Sequence, residues 1–194
     1  YGIHGMRWLD CFTLFWPMRT LVRMLHTPDT ISTLRHLLTA CRTIAVVGLS
    51  PQWHRPSYFA AKYMQAHGYR IVPVNPLVAR EGGQILGEAA YASVTEAAAA
   101  LAALGQKIDM VDCFRKSEDI PPLADEAIAM GAKCLWLQLG VFNEAAGQRA
   151  EAAGLQVIQN RCVKIEHARL FGGLGWMGVN TRVISAKRLR QLPY

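Results

Sequence analysis

The sequence predicts an α/β fold: a doubly wound, mostly parallel sheet between two layers of helices, three layers in all. Short, continuously apolar segments recur along the middle of the chain, which is typical of strands buried on both faces of a parallel sheet. Helical segments of roughly 10–15 residues separate them, as crossovers between parallel strands require. The chain has 194 residues and is 52% hydrophobic. It can therefore build a core, and it does not belong to the disordered class.

The predicted strands are apolar runs that end at turn-forming residues. They are residues 44–47, 71–74, 108–114, 134–137 and 155–158. Pro73 lies inside the second run, where it removes a main-chain donor. We therefore expect this strand near an edge of the sheet or irregularly paired.

Capping residues and glycines delimit the predicted helices. These helices cover residues 29–41, 56–67, an alanine-rich segment from Ser93 or Thr95 to Gly105, 121–130 and 143–153. Asp29 is expected to cap the first helix, because its carboxylate can accept bonds from free amides. Pro56 suits the first turn of the second helix, and Gly68 ends it.

The charge distribution argues against a core that binds nucleic acid. The net charge of +7 divides into +3 for residues 1–42, 0 for residues 43–170 and +4 for residues 171–194. A protein that neutralises many phosphates needs its cations on the binding surface. Nucleic acid is therefore expected only as a weak contact of the basic ends.

Membrane-spanning, disulfide-linked and metal-binding proteins are also disfavoured. No run of about eighteen apolar residues occurs, so no transmembrane helix is predicted. The five cysteines are an odd number without a C-x-x-C pair. This argues against a disulfide scaffold and a zinc site, and we predict no metal. Reduced thiols favour a cytoplasmic protein.

One domain with an extension at each end is expected. Residues 1–28 are interpreted as an N-terminal extension, disordered or mis-started, with a membrane-surface helix as the alternative. Residues 29–170 form the predicted domain. Residues 171–194 begin at a glycine-rich break and form a basic C-terminal tail.

Polar residues follow the predicted strands at the edge where α/β sheets bind ligands. They include Gly48, Ser50, Arg55, Ser57, Asn75, Arg115 and Gln138. Cations and hydrogen-bond donors suit an anionic ligand. A glycine after the first strand and the free amides of the next helix favour phosphate. An ordinary strand-to-helix turn with a serine cap is an equal alternative.

Two common nucleotide motifs are missing. The first turn has a single glycine instead of G-x-G-x-x-G, and the second strand ends in Asn75-Pro76 instead of an acid. No Walker A sequence occurs. The NAD and P-loop interpretations are therefore rejected. An acid at that strand end would repel a ribose phosphate, so its absence suits a nucleotide that carries one.

Several motifs occur together in an order that resembles a known family. They include V-G-L-S at 47–50, R-P-S at 55–57, V-P-V-N-P at 72–76, W-L-Q-L-G at 136–140 and K-I-E-H at 164–167. Over roughly residues 30–170 the chain resembles the stand-alone CoA-binding domain proteins. These are related to the amino-terminal domain of the succinyl-CoA synthetase alpha subunit. The resemblance implies a Rossmann-type fold with coenzyme A or acyl-CoA as the bound cofactor.

The resemblance also implies which residues contact the ligand. They are Gly48, Ser50, Arg55 and Ser57 around the pyrophosphate, Val74, Asn75 and Pro76 at the adenosine end, Phe114 and Arg115 beside the nucleotide, and Gln138 closing the site. Gln52-Trp53-His54 departs from the small polar residues expected in the phosphate loop.

The predicted function is non-catalytic binding of CoA or acyl-CoA in a carrier, sensor or regulatory role. Few residues follow Leu170, and no histidine lies in a glycine-rich phosphohistidine loop, so a complete ligase is not expected on this chain. One alternative is a CoA-binding subunit of an acyl-CoA-using enzyme that requires a partner. Another is a vestigial Rossmann domain that serves as a protein-interaction module. A protein partner or a homo-oligomer is compatible with each.

Three residues that are close in sequence raise a catalytic hypothesis. Cys162, Glu166 and His167 suggest a nucleophile with a base. We prefer a structural interpretation, a thiol at a strand end and a helix-capping pair, and predict no catalytic residue. Cys113 and Cys134 are expected to be small core residues.

Overall fold

The structure, a computed structural model, describes residues 30–172. Its strands are β1 (Thr43–Val47), β2 (Arg70–Val74), β3 (Gln84–Ile85), β4 (Glu88–Ala89), β5 (Met110–Cys113), β6 (Cys134–Leu137) and β7 (Gln156–Ile158). Its helices are α1 (Ile31–Ala40), α2 (Pro56–Ala66), α3 (Pro76–Arg80), α4 (Val94–Ala102), α5 (Ile120–Ala129), α6 (Glu144–Ala152) and α7 (Val163–Phe171). All five predicted strands are present.

The sheet is parallel and its strand order reverses beside β1. The five long strands lie in the order β2-β1-β5-β6-β7, and β3 and β4 form a separate antiparallel hairpin. Strand β1 therefore pairs with β2 on one side and β5 on the other. The chain leaves β1 for α2 on one face of the sheet and leaves β5 for α5 on the other face, which opens a crevice between the carboxyl ends of β1 and β5.

Two apolar layers cover the sheet, because successive strand residues point to opposite faces. Ala45 and Val47 of β1 pack with α4, α5 and α6, whereas Ile44 and Val46 pack with α1, α2 and α7. The helices thus lie on both faces. The α/β fold predicted from the sequence, doubly wound with three layers, is confirmed.

The helix starts agree with the sequence except at α1. Ser93 caps α4, its side chain accepting a bond from the Glu96 amide, so Ser93 and not Thr95 is the cap. The prediction that Asp29 caps the first helix is wrong. Thr30 directly precedes that helix, and its hydroxyl accepts a bond from the Thr33 amide. Asp29 itself lies outside the described residues.

Strand β2 is an edge strand, as Pro73 predicts. The Pro73 carbonyl accepts a bond from the Tyr91 amide, and the Tyr91 carbonyl accepts one from the Asn75 amide. The segment after the β3–β4 hairpin therefore covers this edge. Helices α3 and α7 and the hairpin were not predicted. Two of these elements are very short, and tertiary contacts stabilise them more than local sequence preference does.

Candidate functional site

A cleft of about 660 Å³ opens at the reversal of strand order. Eight of the ten residues predicted to bind ligand line it: Gly48, Ser50, Arg55, Ser57, Asn75, Phe114, Arg115 and Gln138. Further lining residues are Pro51, Gln52, Pro56, Leu77, Val78, Leu139 and Val141. The other two predicted residues, Val74 and Pro76, are not among them. Val74 is buried within the sheet, and Pro76 is the exposed first residue of α3.

Gly48 allows the chain leaving β1 to pass close to the chain leaving β5. Its φ is +83°, and an added Cβ would lie 2.6 Å from the Phe114 carbonyl oxygen. The Gly48 amide donates to the Val74 carbonyl at 2.9 Å, and the Phe114 amide donates to the Val47 carbonyl at 2.9 Å. A side chain at this position is both strained and sterically blocked. The floor of the cleft is therefore bare backbone.

Hydrogen bonds within the loop hold residues 50–57 in shape. The Ser50 amide donates to Ser57 Oγ at 3.1 Å, and the Gln52 amide donates to Ser50 Oγ at 3.2 Å. Arg55 Nε donates to Gln52 Oε1 at 3.2 Å. The loop leads into α2, which has Pro56 in its first turn and no side-chain cap. The positive end of this helix thus faces the cleft beside an ordered loop.

Two arginines supply the positive charge of the cleft. Arg115 is half exposed and pairs with Asp119 at 3.0 Å. Arg55 is exposed, and no carboxylate among residues 30–172 pairs with it. An anion entering the cleft would therefore meet one unpaired guanidinium and one shared with a surface acid. This arrangement suits phosphate groups.

Asn75 connects the first loop to α3. Its Nδ2 donates to the Leu49 carbonyl at 2.8 Å, and its Oδ1 accepts bonds from the Leu77 and Val78 amides. The side chain lines the cleft, but both of its polar atoms are engaged within the protein. Asn75 thus shapes the wall where Leu77 and Val78 are presented.

Gln138 rests on a buried carboxyl that the sequence analysis missed. Gln138 is 4% exposed, and its Nε2 donates to Asp112 Oδ1 at 2.7 Å. Asp112 is 1% exposed. Burial raises its pKa to about 7, against the lowering effect of the bond from Gln138. The signal in the sequence was a carboxyl, Asp112, inside the apolar segment 108–114, which the sequence analysis treated only as a strand.

The catalytic hypothesis for residues 162–167 finds no support at the cleft, which none of the three residues lines. Cys162 precedes α7, and burial raises the pKa of its thiol. The buried Glu166 pairs with Arg161 at 3.3 Å and also with Arg169. The interpretation of Glu166 as half of a capping pair is therefore wrong, because its carboxylate binds two guanidinium groups.

His167 belongs to an aromatic cluster between α2 and α7. Its Nδ1 lies 3.2 Å from the Tyr63 hydroxyl, and its ring contacts those of His67 and Phe171. Burial is the main cause that lowers its pKa. The role of these side chains is packing of α7 against α2.

Cys113 and Cys134 are fully buried in β5 and β6, as predicted. Within residues 30–172 no three His, Cys, Asp or Glu side chains are placed to hold a metal ion. In the same part of the chain, no helix has the length and apolar character needed to cross a bilayer.

Comparison with known proteins agrees with this geometry. The chain is 37% identical over 135 residues to the uncharacterized protein YneT of Bacillus subtilis (strain 168), a match that covers 70% of this chain and 92% of that protein. A solved structure of a hypothetical protein from Pyrococcus horikoshii OT3 is 36% identical, with a TM-score of 0.66. It covers 74% of this chain and 93% of its own.

A Thermus thermophilus protein of solved structure is 31% identical with a TM-score of 0.63, covering 73% of this chain and 99% of its own. The family described as the CoA binding domain matches residues 42–168. This span contains the whole sheet and every residue that lines the cleft. The chain therefore belongs to the CoA binding domain family.

Proposed function

We propose that the cleft binds coenzyme A or acyl-CoA without catalysing a reaction on it, as a carrier, sensor or regulator. One observation carries the proposal. The bare backbone at Gly48, the uncapped start of α2 and the guanidinium of Arg55 meet at the reversal of strand order. Amides, a helix dipole and an unpaired cation together form an anion site. Membership of the CoA binding domain family supports CoA as that anion.

The pyrophosphate is assigned to the loop of residues 48–57. The hydroxyl oxygens of Ser57 and Ser50 fix the shape of this loop by accepting bonds from the Ser50 and Gln52 amides, and Arg55 supplies the charge. A helix N-terminus and a bidentate guanidinium both prefer phosphate oxygens. The charge on Arg115 is shared with Asp119, so Arg115 contributes less than Arg55.

The adenosine is assigned to the end of β2. The residue after this strand contacts the ribose in dinucleotide-binding folds. Here that residue is Asn75, which presents Leu77 and Val78 to the cleft. We propose Leu77 and Val78 as the apolar wall for the base, in place of the predicted Val74 and Pro76, which do not line the cleft. The pantetheine arm then extends the other way, toward Gln138 and Leu139.

Titration calorimetry with the purified, ligand-free protein tests this function. We expect CoA to bind at micromolar concentration and dephospho-CoA and NAD to bind more weakly. Arg55→Ala should weaken CoA binding about tenfold, because a charge-assisted bond to phosphate is lost.

Arg70→Ala is the matched control. It removes the same charge at the opposite end of the sheet, where Arg70 begins β2. CoA affinity should stay unchanged in this variant. Absence of CoA binding at millimolar concentration in folded protein would refute the proposal, and equal losses in the two variants would refute the assignment of Arg55.

A further inference from the structure

Asp112 and Gln138 form a polar pair directly beneath the cleft. Asp112 in β5 is the register partner of Val46 in β1 and Trp136 in β6. Gly48 lies two residues after Val46 and Gln138 two residues after Trp136, so both are on the same face of the sheet as Asp112. Asp112 is therefore one step below the edge that carries the cleft. Asp112 is only 1% exposed, so hydration does not account for a carboxyl at this position.

The bond between the two side chains fixes the direction of the Gln138 amide. Above pH 7, where Asp112 is ionised, its carboxylate only accepts hydrogen bonds, and the amide nitrogen is the only donor in the Gln138 side chain. With the opposite rotamer, two acceptor oxygens would face each other at 2.7 Å. Nε2 is consequently turned into the protein, toward Asp112 Oδ1.

The carbonyl of the same amide is left for a ligand. Gln138 lines the cleft and is only 4% exposed. Its Oε1 nevertheless accepts no hydrogen bond from any of residues 30–172. A buried acceptor without a partner is costly, so a ligand that donates to it gains affinity. The pair therefore offers the cleft an acceptor, and not a donor.

We propose that Asp112 is a positioning residue that turns the Gln138 carbonyl toward the ligand, so that Gln138 recognises a hydrogen-bond donor of the pantetheine arm. The inference rests on the proposed function. The pyrophosphate and the ribose phosphate offer acceptors, whereas the pantetheine arm carries two amide N–H groups and a hydroxyl. The donors of adenosine are too distant, because β2 and β6 are three strand spacings apart, about 14 Å.

This role makes Gln138 a determinant of specificity for CoA over simple nucleotides. A site that bonds a ligand's donor rejects analogues that lack it, since its own polar group is then left unpaired. Nucleotides that lack the arm should be bound only by the loop of residues 48–57 and the apolar wall of Leu77 and Val78.

Calorimetry with two ligands tests the inference. One is CoA, and the other is 3′-phosphoadenosine 5′-diphosphate, which keeps the ribose phosphate and the pyrophosphate and lacks the pantetheine arm. Gln138→Met keeps the length of the side chain and removes its carbonyl. We expect it to weaken CoA binding about five- to tenfold and to change nucleotide binding by less than about twofold.

Asp112→Leu tests the positioning role, because it leaves Gln138 in place but frees its amide to turn. CoA binding should weaken by a similar factor and nucleotide binding should not. The double variant should lose no more than either single variant, since both act through one contact. Asp109→Asn is the control: it changes a buried carboxyl of the same segment at the opposite end of the sheet, and both affinities should stay the same.

A measurement on the unaltered protein does not depend on how these variants fold. In nuclear magnetic resonance, the Gln138 side-chain NH₂ signals should stay in place when the nucleotide is added. With CoA they should remain protected from exchange, because Nε2 stays bonded to Asp112. Exposure of these protons, or equal losses for the two ligands in Gln138→Met, overturns the inference. If wild-type protein binds neither ligand, the proposed function itself is wrong.

Discussion

Two carboxyls of one segment, Asp109 and Asp112, lie at opposite ends of the sheet and have opposite surroundings. Asp109 precedes β5 at the amino end and accepts three bonds: from Lys133 Nζ at 2.8 Å and from the Arg42 and Thr43 amides at 2.9 and 3.1 Å. Asp112 accepts one bond, from Gln138. Burial pushes both pKa values up, but the donors around Asp109 bring its pKa below 3.8, whereas that of Asp112 rises to about 7.

The difference indicates that the amino end of the sheet has a structural role and the carboxyl end a binding role. The donors of Asp109 connect the starts of β1 and β6 to β5, so the amino end is closed by satisfied polar groups. At the carboxyl end the main chains of β1 and β5 approach at a glycine, and the Gln138 carbonyl finds no donor among residues 30–172. Unsatisfied groups are tolerated where a ligand completes them.

The largest expected effect comes from Gly48→Ala, compared with Gly68→Ala. Both glycines have a left-handed φ, +83° and +84°, but a Cβ on Gly68 at the amino end would meet nothing within 4 Å. We expect Gly48→Ala to lower the free energy of unfolding by about 3 kcal/mol, from strain plus overlap with the Phe114 carbonyl. Gly68→Ala should lose about 1 kcal/mol.

Urea unfolding of the two variants measures this contrast. Equal losses of unfolding free energy would mean that the main chains at Gly48 and Phe114 can move apart without cost. The two ends of the sheet would then differ in polar groups alone and not in backbone packing.

A second, smaller effect should appear in the pH dependence of Asp112→Asn. The pKa of Asp112 is about 7 in the folded protein and 3.8 as its ordinary value. Between these values the folded state binds more protons, so ionisation of Asp112 lowers wild-type stability as pH rises. Below 3.8 the group is protonated in both states and has no effect.

Asp112→Asn removes this loss. Each pH unit between the two pKa values corresponds to about 1.4 kcal/mol. From pH 5 to pH 8 the variant should therefore gain roughly 2 to 3 kcal/mol relative to wild type, most of it below pH 7, measured by urea unfolding at each pH. A constant difference between variant and wild type across this range would show that Asp112 is already ionised in the folded protein at pH 5, so that burial does not raise its pKa toward 7.

The sequence predicted the sheet because its strands are buried on both faces and so read as continuous apolar runs. It placed Gly48, Arg55 and Gln138 at the cleft for a related reason: residues after parallel strands share one edge. It did not determine which side chains face the cleft. Val74 was assigned to the ligand, but its side chain points into the layer formed with α4 and α5.

Asp112 escaped prediction for a different reason. Within β5 it stands between Val111 and Cys113, and nothing local distinguishes it from a tolerated polar residue. The role of Asp112 depends on its hydrogen bond with Gln138, 26 residues later in the chain. The contact exists only because β5 and β6 pair in a particular register. Such pairs follow from the tertiary fold and not from local sequence patterns.

The smallest expected effect belongs to Asp109→Asn, the counterpart of Asp112→Asn. Asparagine would place an NH₂ group among donors, and the lost ion pair involves Lys133, which is about half exposed and therefore screened. We expect a loss of about 1 kcal/mol at pH 7. The pKa of Asp109 is lowered in the fold, so its contribution is present above 3.8 and disappears as pH falls through the folded value.

The pH dependence of Asp109→Asn should thus be opposite to that of Asp112→Asn. Its difference from wild type should stay constant from pH 5 to pH 8, where Asp109 is ionised in both states, and should shrink toward pH 3. Urea unfolding over both ranges measures this. A change between pH 5 and pH 8 would mean that Asp109 titrates near neutrality, and the contrast between a satisfied carboxyl at one end and an unsatisfied one at the other would fail.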